Sequence, residues 1–221
     1  MRISALIAIK KDKGWRDSIW SKVLQRYEQL MPDLELCVVY DESNPFWKTR
    51  ALNKAAQQAT GDILMTVDAD VVFRPNLLKE IAAVALKYPW VIPFTKGIRL
   101  NKSATQRLLQ KALPKDLKVI KSDIQVVDPT PGILINVMKH SSYDAIGGFD
   151  ERFRGWGHED TAFVIALNTI CGKPYHIPGN VYHLWHPHAS KAQFKANERL
   201  LGEYLAAKGS LIKMKQLIKD R

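Results

Sequence analysis

Continuous apolar runs alternate with stretches of helical apolar spacing along the first hundred positions of the chain. Short continuous runs predict buried strands, and helical spacing predicts amphipathic helices. The predicted elements are strand 3–9, helix 15–30, strand 34–40, helix 49–60, strand 63–67, helix 75–88 and strand 90–94. This order predicts an α/β fold with a parallel sheet and helices on both of its faces.

The second half of the chain has a less regular pattern. Its basic stretch 96–121 predicts a loop with a short helix that ends in strand-like residues 119–127. The other predicted elements are a turn 129–132 into the apolar run 133–135, a brief helix 142–146, a helix from about residue 160, the stretch 175–177, a histidine-rich strand within 181–188, and helices 190–207 and 210–219. The 221 residues contain no internal repeat and no linker, so we expect a single domain.

The segment 147–160, GGFDERFRGWGHED, places two adjacent carboxylates after a glycine-rich turn and directly before an apolar run. Glycine adopts backbone conformations that other residues avoid, so the turn is expected to be sharp. An aspartate at a helix start is most often a cap, which is one interpretation of Asp160. The alternative is that Glu159 and Asp160, held by the turn beside Trp156, take part in chemistry.

Acidic residues also follow two of the predicted strands. Asp41 comes after strand 34–40, and Asp68 and Asp70 come directly after strand 63–67. Ligands of α/β sheets bind beyond the carboxyl ends of the strands, where these side chains are expected. A pair of carboxylates at such an end is suited to Mn²⁺ or Mg²⁺, hard cations that bind a diphosphate.

Three histidines close to one another follow in the segment 183–188. A neutral imidazole of His183 or His186 is a candidate to complete the ligand set of a metal held by Asp70. A zinc site made of His183, His186 and His188 alone is the rival hypothesis. We disfavour it because strand alternation would place His183 and His186 on opposite faces.

Positive charge is concentrated in two segments, although the net charge of the chain is +11. Residues 96–121 contain eight Lys or Arg against one acid, and residues 191–221 contain eight against three. Such clusters indicate either a surface for an anionic partner, membrane or nucleic acid, or two solvated faces.

No apolar run has spanning length and no signal peptide is recognisable, which predicts a cytoplasmic protein. Cys37 and Cys171 are expected as small core residues.

These motifs together resemble the GT-A fold glycosyltransferases. The motifs are Asp41, the helix start Arg50-Ala51-Leu52-Asn53, Gly61-Asp62 leading to Asp68-Ala69-Asp70, the segment 147–160 and a downstream histidine. The front half resembles the family 2 enzymes. The second half is similar to the C-terminal region shared by β-1,4-galactosyltransferases and polypeptide N-acetylgalactosaminyltransferases.

The resemblance implies one GT-A domain over 1–221, with a Rossmann-like, mostly parallel sheet flanked by helices. Its parts would be a nucleotide-sugar-binding half (1–95), an acceptor and catalytic half (96–188) and basic C-terminal helices (189–221). It further implies a metal-dependent transfer of sugar from a UDP-sugar to a hydroxyl of an anionic or anion-carried acceptor, such as a polysaccharide or a lipid-linked glycan. Retaining enzymes with a similar motif have asparagine in place of Asp160, so aspartate favours inversion.

The resemblance also implies roles for individual residues. Those of the donor site are Asp41 at the uracil, Arg50 near the nucleotide, Asp68 at the ribose, Gly132 beside the donor sugar and Trp156 lining the sugar and acceptor site. Those of the reaction are Asp160 as the base, Glu159 beside it, and Asp70 with His183 or His186 as ligands of Mn²⁺ or Mg²⁺. His158 stands where the family pattern usually has glycine.

Other function classes fit parts of the pattern. An enzyme that glycosylates hydroxymethylated bases in DNA would use the basic segments to hold phosphates. A sugar nucleotidyltransferase would share the fold and the metal, but it should carry a glycine-rich phosphate loop after the first strand, which residues 10–14 match only faintly. A non-catalytic binding module would tolerate loss of the carboxylates, and all of them are present.

Overall fold

Strands and helices alternate in the computed structural model of the chain, which describes residues 1–128 and 134–221. The elements of the first half are β1 (Ile3–Ile9), α1 (Trp15–Leu30), β2 (Glu35–Tyr40), α2 (Lys48–Gln58), β3 (Ile63–Val67), β4 (Val71–Val72), α3 (Leu77–Val84), β5 (Trp90–Ile92), β6 (Lys96–Leu100) and α4 (Lys102–Leu109). Those of the second half are β7 (Ile124–Asp128), β8 (Ile135–Lys139), α5 (His140–Ala145), α6 (Glu159–Cys171), β9 (Tyr175–His176), β10 (Asn180–His183), α7 (Phe194–Ala207) and α8 (Leu211–Lys219). The predicted α/β class is confirmed.

The larger sheet has the strand order β2-β1-β3-β8-β5-β9. β1 is parallel to β2 and β3, and β5 is parallel to β9, whereas β8 is antiparallel to both of its neighbours, β3 and β5. Five strands therefore run in one direction and β8 runs in the other. The sheet is mostly parallel, as the resemblance implies, and the carboxyl ends of β1, β2 and β3 meet at one edge.

A smaller sheet has the order β4-β10-β6-β7. β4 continues from the end of β3 after a turn of three residues and pairs antiparallel with β10, which comes more than a hundred residues later. β10 is in turn parallel to β6, and β6 is antiparallel to β7. This pairing brings the histidine segment to the end of β3.

The core lies around the central strands because their residues are mostly apolar. All five residues of β3 are buried, as are six of the seven of β1, including the polar Ser4 and Thr66. Strands buried on both faces have nearly continuous apolar sequences, which is why these runs predicted them. Helix α1 turns Ile19, Val23 and Tyr27 inward at helical spacing, and it begins and ends where the pattern predicted.

The structure differs from the sequence predictions in the basic segment and at helix ends. Residues 96–100, predicted as loop, form β6, and a 3-10 turn at Lys121–Asp123 replaces the first part of the predicted strand 119–127. The sequence pattern did not predict β6 because the strand contains charged residues. The charge of Arg99 is paired across the sheet with Asp128, at 2.9 Å. Helix α3 is shorter than the predicted 75–88, and β8 begins at Ile135, the last residue of the apolar run 133–135.

Two glycines fit the chain closely around the segment 147–160. A Cβ at Gly148 (φ +67°) would lie 2.7 Å from Oδ1 of Asn53, which accepts a 2.9 Å hydrogen bond from the amide of Phe149. A Cβ at Gly157 (φ +116°) would lie 2.9 Å from the ring of Phe194. Glycine is required at both positions by the backbone conformation and by the close approach.

A buried carboxylate holds the start of this segment. Asp150 accepts hydrogen bonds from the guanidinium and the backbone amide of Arg152 at 2.8 to 3.1 Å, and from Tyr204 Oη at 3.0 Å. Burial acts to raise the pKa of Asp150, but these hydrogen bonds outweigh it and leave the pKa lowered. Arg152 also contacts Glu203 at 3.0 Å, so the segment is tied to α7.

No helix in residues 1–128 or 134–221 is long and apolar enough to cross a bilayer. Cys37 is buried and Cys171 is half-buried, and both are free thiols. Packing against the core explains both residues, as predicted.

We expect Asp150→Asn to lower the free energy of unfolding by about 2 kcal/mol at pH 7, because charged hydrogen bonds to a buried carboxylate are lost. The folded-state pKa of Asp150 lies below its unfolded value, so its contribution is present above the unfolded pKa and disappears as pH falls through the folded one. Urea unfolding at several pH values should show the difference shrinking below about pH 4. The exposed Asp62→Asn is the control, and an equal loss in both variants would contradict the role of Asp150.

Candidate active site

Acidic side chains gather at the carboxyl ends of β2 and β3, as predicted. Asp41 follows β2 and is buried, and Asp68 and Asp70 follow β3. The amide of Asp68 donates to the carbonyl of Leu134 at 3.2 Å, which extends the β3–β8 pairing to the acid. The exit of the strand therefore fixes the direction of both aspartates.

A lysine that the sequence analysis did not single out lies among three of the carboxylates. Lys48 Nζ is 2.9 Å from Asp68 Oδ1, 2.9 and 3.1 Å from the two oxygens of Asp160, and 3.5 Å from Glu159 Oε1. The side chains of Lys48 and Asp160 are only 17% and 14% exposed. Ala8 of β1 and Leu134 help to line the narrow cleft around them.

Ionisation in this group is governed by burial and by mutual charge. Burial raises the pKa of Asp160, the charges of Glu159 and Asp68 raise it further, and the Lys48 ammonium acts against them. Burial acts to lower the pKa of Lys48, but the carboxylates outweigh it and raise this pKa well above its ordinary value. The lysine therefore remains protonated and the aspartate has a raised affinity for a proton.

Asp160 does not cap its helix. Helix α6 begins at Glu159, and its N-cap is His158, which has φ 73° and makes no capping hydrogen bond with its side chain. The Glu159 carboxylate accepts a 3.1 Å hydrogen bond from the Gly157 amide, and the Asp160 carboxylate contacts Lys48. The capping interpretation of Asp160 is therefore wrong, and its carboxylate faces the cleft.

His158 has an unusual backbone conformation for a residue with a side chain. Left-handed φ values are uncommon outside glycine and cost free energy, so they concentrate at functional turns. The His158 ring packs on Phe194 with centroids 4.6 Å apart, and its Nε2 is buried without a hydrogen-bond partner among the described residues. The position that family members usually fill with glycine keeps the glycine-like conformation here.

The second group of side chains consists of Asp70, His183 and His186. His183 Nε2 is 3.3 Å from Asp70 Oδ1, and His186 Nε2 is 2.9 Å from Asp70 Oδ2. The β4–β10 ladder explains this, because His183 lies opposite Val71 and the Leu184 amide donates to the Asp70 carbonyl at 2.9 Å. The sheet pairing thus places the histidines beside the acid.

The argument from strand alternation was wrong for this segment. β10 ends at His183, so His186 lies beyond the strand and both imidazoles reach Asp70. His188 is exposed and outside the group, so the three-histidine set is not formed. One ligand atom from each of Asp70, His183 and His186 lies within 4.8 Å of the others.

This group fits a divalent cation. Burial acts to raise the pKa of Asp70, but the two histidines outweigh it and hold this pKa far below its usual range. Burial lowers the pKa of His183, so its imidazole is neutral at pH 7, as a ligand must be. Asp70 Oδ1 is buried without a hydrogen-bond partner among the described residues, which leaves a carboxylate oxygen for a metal.

Asp41 and Arg50 form a separate pair beside the cleft. Arg50 Nη2 donates to Asp41 Oδ2 at 3.0 Å, and the Ser43 amide donates to Asp41 Oδ1 at 2.7 Å. The Arg50 guanidinium lies 4.1 Å from the ring centre of Trp47, and that of Arg154 lies 4.0 Å from it. Asp41 and Arg50, for which the resemblance implies contacts with the nucleotide, thus lie together, with the Trp47 ring between the guanidiniums of Arg50 and Arg154.

Trp156 lies on the surface, 45% exposed, close to the start of α7. It stacks on Phe194 with centroids 5.5 Å apart, and Lys191 Nζ lies 5.8 Å from its ring centre. The buried Asn197 of α7 donates to the carbonyls of Arg154 and Gly157 at 2.9 and 3.0 Å. The C-terminal helices therefore support the turn that presents Trp156.

Gly132, predicted to lie beside the donor sugar, falls outside the described residues. Lys48 is the site residue that sequence reasoning missed, although a signal was present. It is the first residue of α2, where the helix dipole disfavours a cation. A buried lysine at that position needs carboxylate partners, and the acids of the motifs supply them.

Comparisons with known proteins identify the family. The family model "Glycosyl transferase family 2" matches residues 17–153, more than half of the chain. No match was found among curated protein sequences.

Solved structures share the fold at low sequence identity. TarS from S. aureus aligns with a TM-score of 0.56 and 15% identity over 99% of this chain and 42% of its own, so the chain spans less than half of TarS. TarS 1-349 in complex with UDP-GlcNAc gives 0.55 and 15% over 99% and 70%. Glucosyl-3-phosphoglycerate synthase from Mycobacterium tuberculosis, in complex with phosphoglyceric acid, gives 0.53 and 13% over 93% and 79%. Together with the family match, this confirms that the chain is a member of glycosyl transferase family 2 with a GT-A fold.

Proposed function

We propose that the chain is a metal-dependent, inverting glycosyltransferase that moves a sugar from a UDP-sugar to a hydroxyl of an anionic or anion-carried acceptor. The observation that carries this proposal is a buried carboxylate of raised pKa, Asp160, that faces a cleft beside Asp68. Asp70, two residues further along, belongs to a group fit for a metal. A base and a metal site at one sheet edge are what the transfer requires.

Asp160 is the proposed base. Its carboxylate takes the proton of the acceptor hydroxyl while the hydroxyl oxygen bonds to the anomeric carbon and the bond from that carbon to the diphosphate breaks. Attack from the face opposite the diphosphate inverts the configuration. A raised pKa strengthens the base, because a catalytic base is most effective when its pKa lies near the working pH.

Asp70, His183 and His186 are the proposed holders of Mn²⁺ or Mg²⁺. When bound, the cation would stabilise negative charge on the departing diphosphate. Two imidazoles and one carboxylate suit Mn²⁺ better than Mg²⁺, which prefers oxygen ligands. Asp68, on the cleft side of the same turn, remains available for the ribose.

The donor is proposed to be a UDP-sugar, with Asp41 at the uracil and Arg50 near the nucleotide. The TarS 1-349 complex contains UDP-GlcNAc, and this fold relative supports the same class of donor. Asp41 is buried and oriented by Ser43 and Arg50, so its carboxylate has a fixed direction.

The acceptor, or its carrier, is proposed to be anionic. The synthase that shares the fold was solved with phosphoglyceric acid, an anion, which supports this class. Lys191 lies over the exposed Trp156, so an acceptor stacked on Trp156 would meet a cation. The segments 96–121 and 191–221 add further exposed lysines that a polysaccharide, a lipid-linked glycan or DNA could contact.

Membership in a glycosyltransferase family favours glycosyl transfer over nucleotidyl transfer. The acids grouped around Lys48 also disfavour a non-catalytic module, because burying like charges without a use for them is costly in free energy.

Transfer to hydroxymethylated DNA bases is a second candidate function, because positive charge is concentrated in the segments 96–121 and 191–221. If it is right, duplex binding should fall by about 10³-fold or more between 50 and 200 mM salt, and absence of binding at low salt would remove it.

Incubation with Mn²⁺ and a panel of nucleotide sugars should release UDP from one or more UDP-sugars. We expect Asp160→Asn to lower the rate of release by at least about 100-fold, because the variant cannot accept the proton. UDP is measured by a coupled assay, with Asp144→Asn as an exposed aspartate control. The proposal fails if no donor is cleaved, or if Asp160→Asn is as active as the control.

Removal of a proposed metal ligand should weaken Mn²⁺ binding measured by titration calorimetry. We expect Asp70→Asn and His186→Ala each to raise the dissociation constant at least about tenfold, because each removes a ligand atom. His188→Ala, from the same segment but exposed, is the matched control. A Kd that changes equally in all three variants would place the metal elsewhere.

A further inference from the structure

We infer that Lys48 is the positioning residue that favours the charged form of the proposed base and aims it at the cleft. This inference rests on the proposed function and adds a residue to it. Lys48 belongs to α2, Asp68 to the end of β3 and Asp160 to α6, so one ammonium joins three elements that meet at the site.

Geometry makes Lys48 a bridge between the donor end and the acceptor end of the site. Its Nζ contacts Asp68 at 2.9 Å on one side and both oxygens of Asp160 on the other. An ammonium held between two acids fixes their separation, because both contacts are short and the side chains are largely buried. The base is thereby placed relative to the residue proposed for the ribose.

The charge of Lys48 favours the ionised form of the base. The charged groups that face Asp160 are Glu159 on its own helix, Asp68 after β3 and Lys48 on α2. Without Lys48, three carboxylates would share a buried space, and such groups relieve their repulsion by taking up a proton. A protonated Asp160 cannot accept the proton of an acceptor.

Lys48 itself gives up no proton in this scheme. Its three acidic neighbours stabilise the ammonium, so it stays charged throughout the reaction. It contacts the base and Asp68, and it acts on the reaction through them. Its replacement should therefore change the pH at which the base works more than the binding of the donor.

The test compares wild type with Lys48→Met, Lys48→Arg and Lys54→Met, the last being an exposed lysine on the same helix. In the pH profile of kcat for UDP release, Lys48→Met should shift the rise of kcat on the acidic side to higher pH, by at least about one pH unit. At pH 7 its kcat should fall at least about tenfold and recover as the pH is raised, with a smaller change in donor KM. Lys48→Arg should keep this rise near its wild-type position, and Lys54→Met should change nothing.

A second measurement does not depend on activity. The carboxyl carbon of Asp160, assigned in ¹³C spectra with Asp160→Asn, is titrated in wild type and in Lys48→Met, and its midpoint should move upward in the variant. If Lys48→Met does not fold, both measurements are made on Lys48→Gln.

The inference is overturned if Lys48→Met loses activity equally at every pH and the Asp160 titration does not move. An inactive wild type, or an active Asp160→Asn, would instead refute the proposed function. In that case the ¹³C titration still decides whether Lys48 favours the charged form of Asp160.

Discussion

Several negative charges have to be held in a small, partly buried space at one edge of the sheet. Asp41, Asp68, Asp70, Glu159 and Asp160 all lie at strand ends or at the start of α6. Burial of an unpaired carboxylate is unfavourable by several kcal/mol, so each acid needs a cation or a set of donors. The chain supplies Arg50 for the first, Lys48 for three of them, and two imidazoles for Asp70. The arrangement of α2, β4 and β10 follows from this requirement.

The C-terminal helices are strongly basic, but they also have a structural role. Asn197 and Phe194 hold the glycine turn, and Tyr204 donates to the buried Asp150. The guanidinium of Arg221 donates to the carbonyls of Ile146 and Gly148. The outward faces of α7 and α8 carry the lysines, while their inward faces support the segment that presents the proposed base.

The sequence predicted the elements that depend on local pattern. β1 and β3 were recognised from continuous apolar runs and α1 from helical spacing, and Asp41, Asp68 and Asp70 were located because they follow predicted strands. β6 was missed because a charged strand is stabilised by cross-strand pairing, which lies outside any local window. The histidines were misjudged because alternation holds only inside a strand and β10 ends at His183.

Lys48 was missed for a related reason. A lysine near the start of a helix resembles a solvated residue until the distant Glu159 and Asp160 are brought beside it. The motif comparison identified residues by type and spacing, whereas charge balance depends on which residues meet in space. The acids of the candidate site could therefore be located from the sequence, whereas the position of Lys48 among them depends on contacts between distant parts of the chain.

The β4–β10 ladder has a consequence for the order in which the site forms. Its two halves come from parts of the chain more than a hundred residues apart, so the histidines reach Asp70 only after the smaller sheet has closed. A cation at this place would bind the closed sheet and not the open one, and its binding free energy would be added to the stability of that pairing. The ion would then hold the second sheet together, and amide exchange in β4 and β10 would be slower with the ion bound than without it.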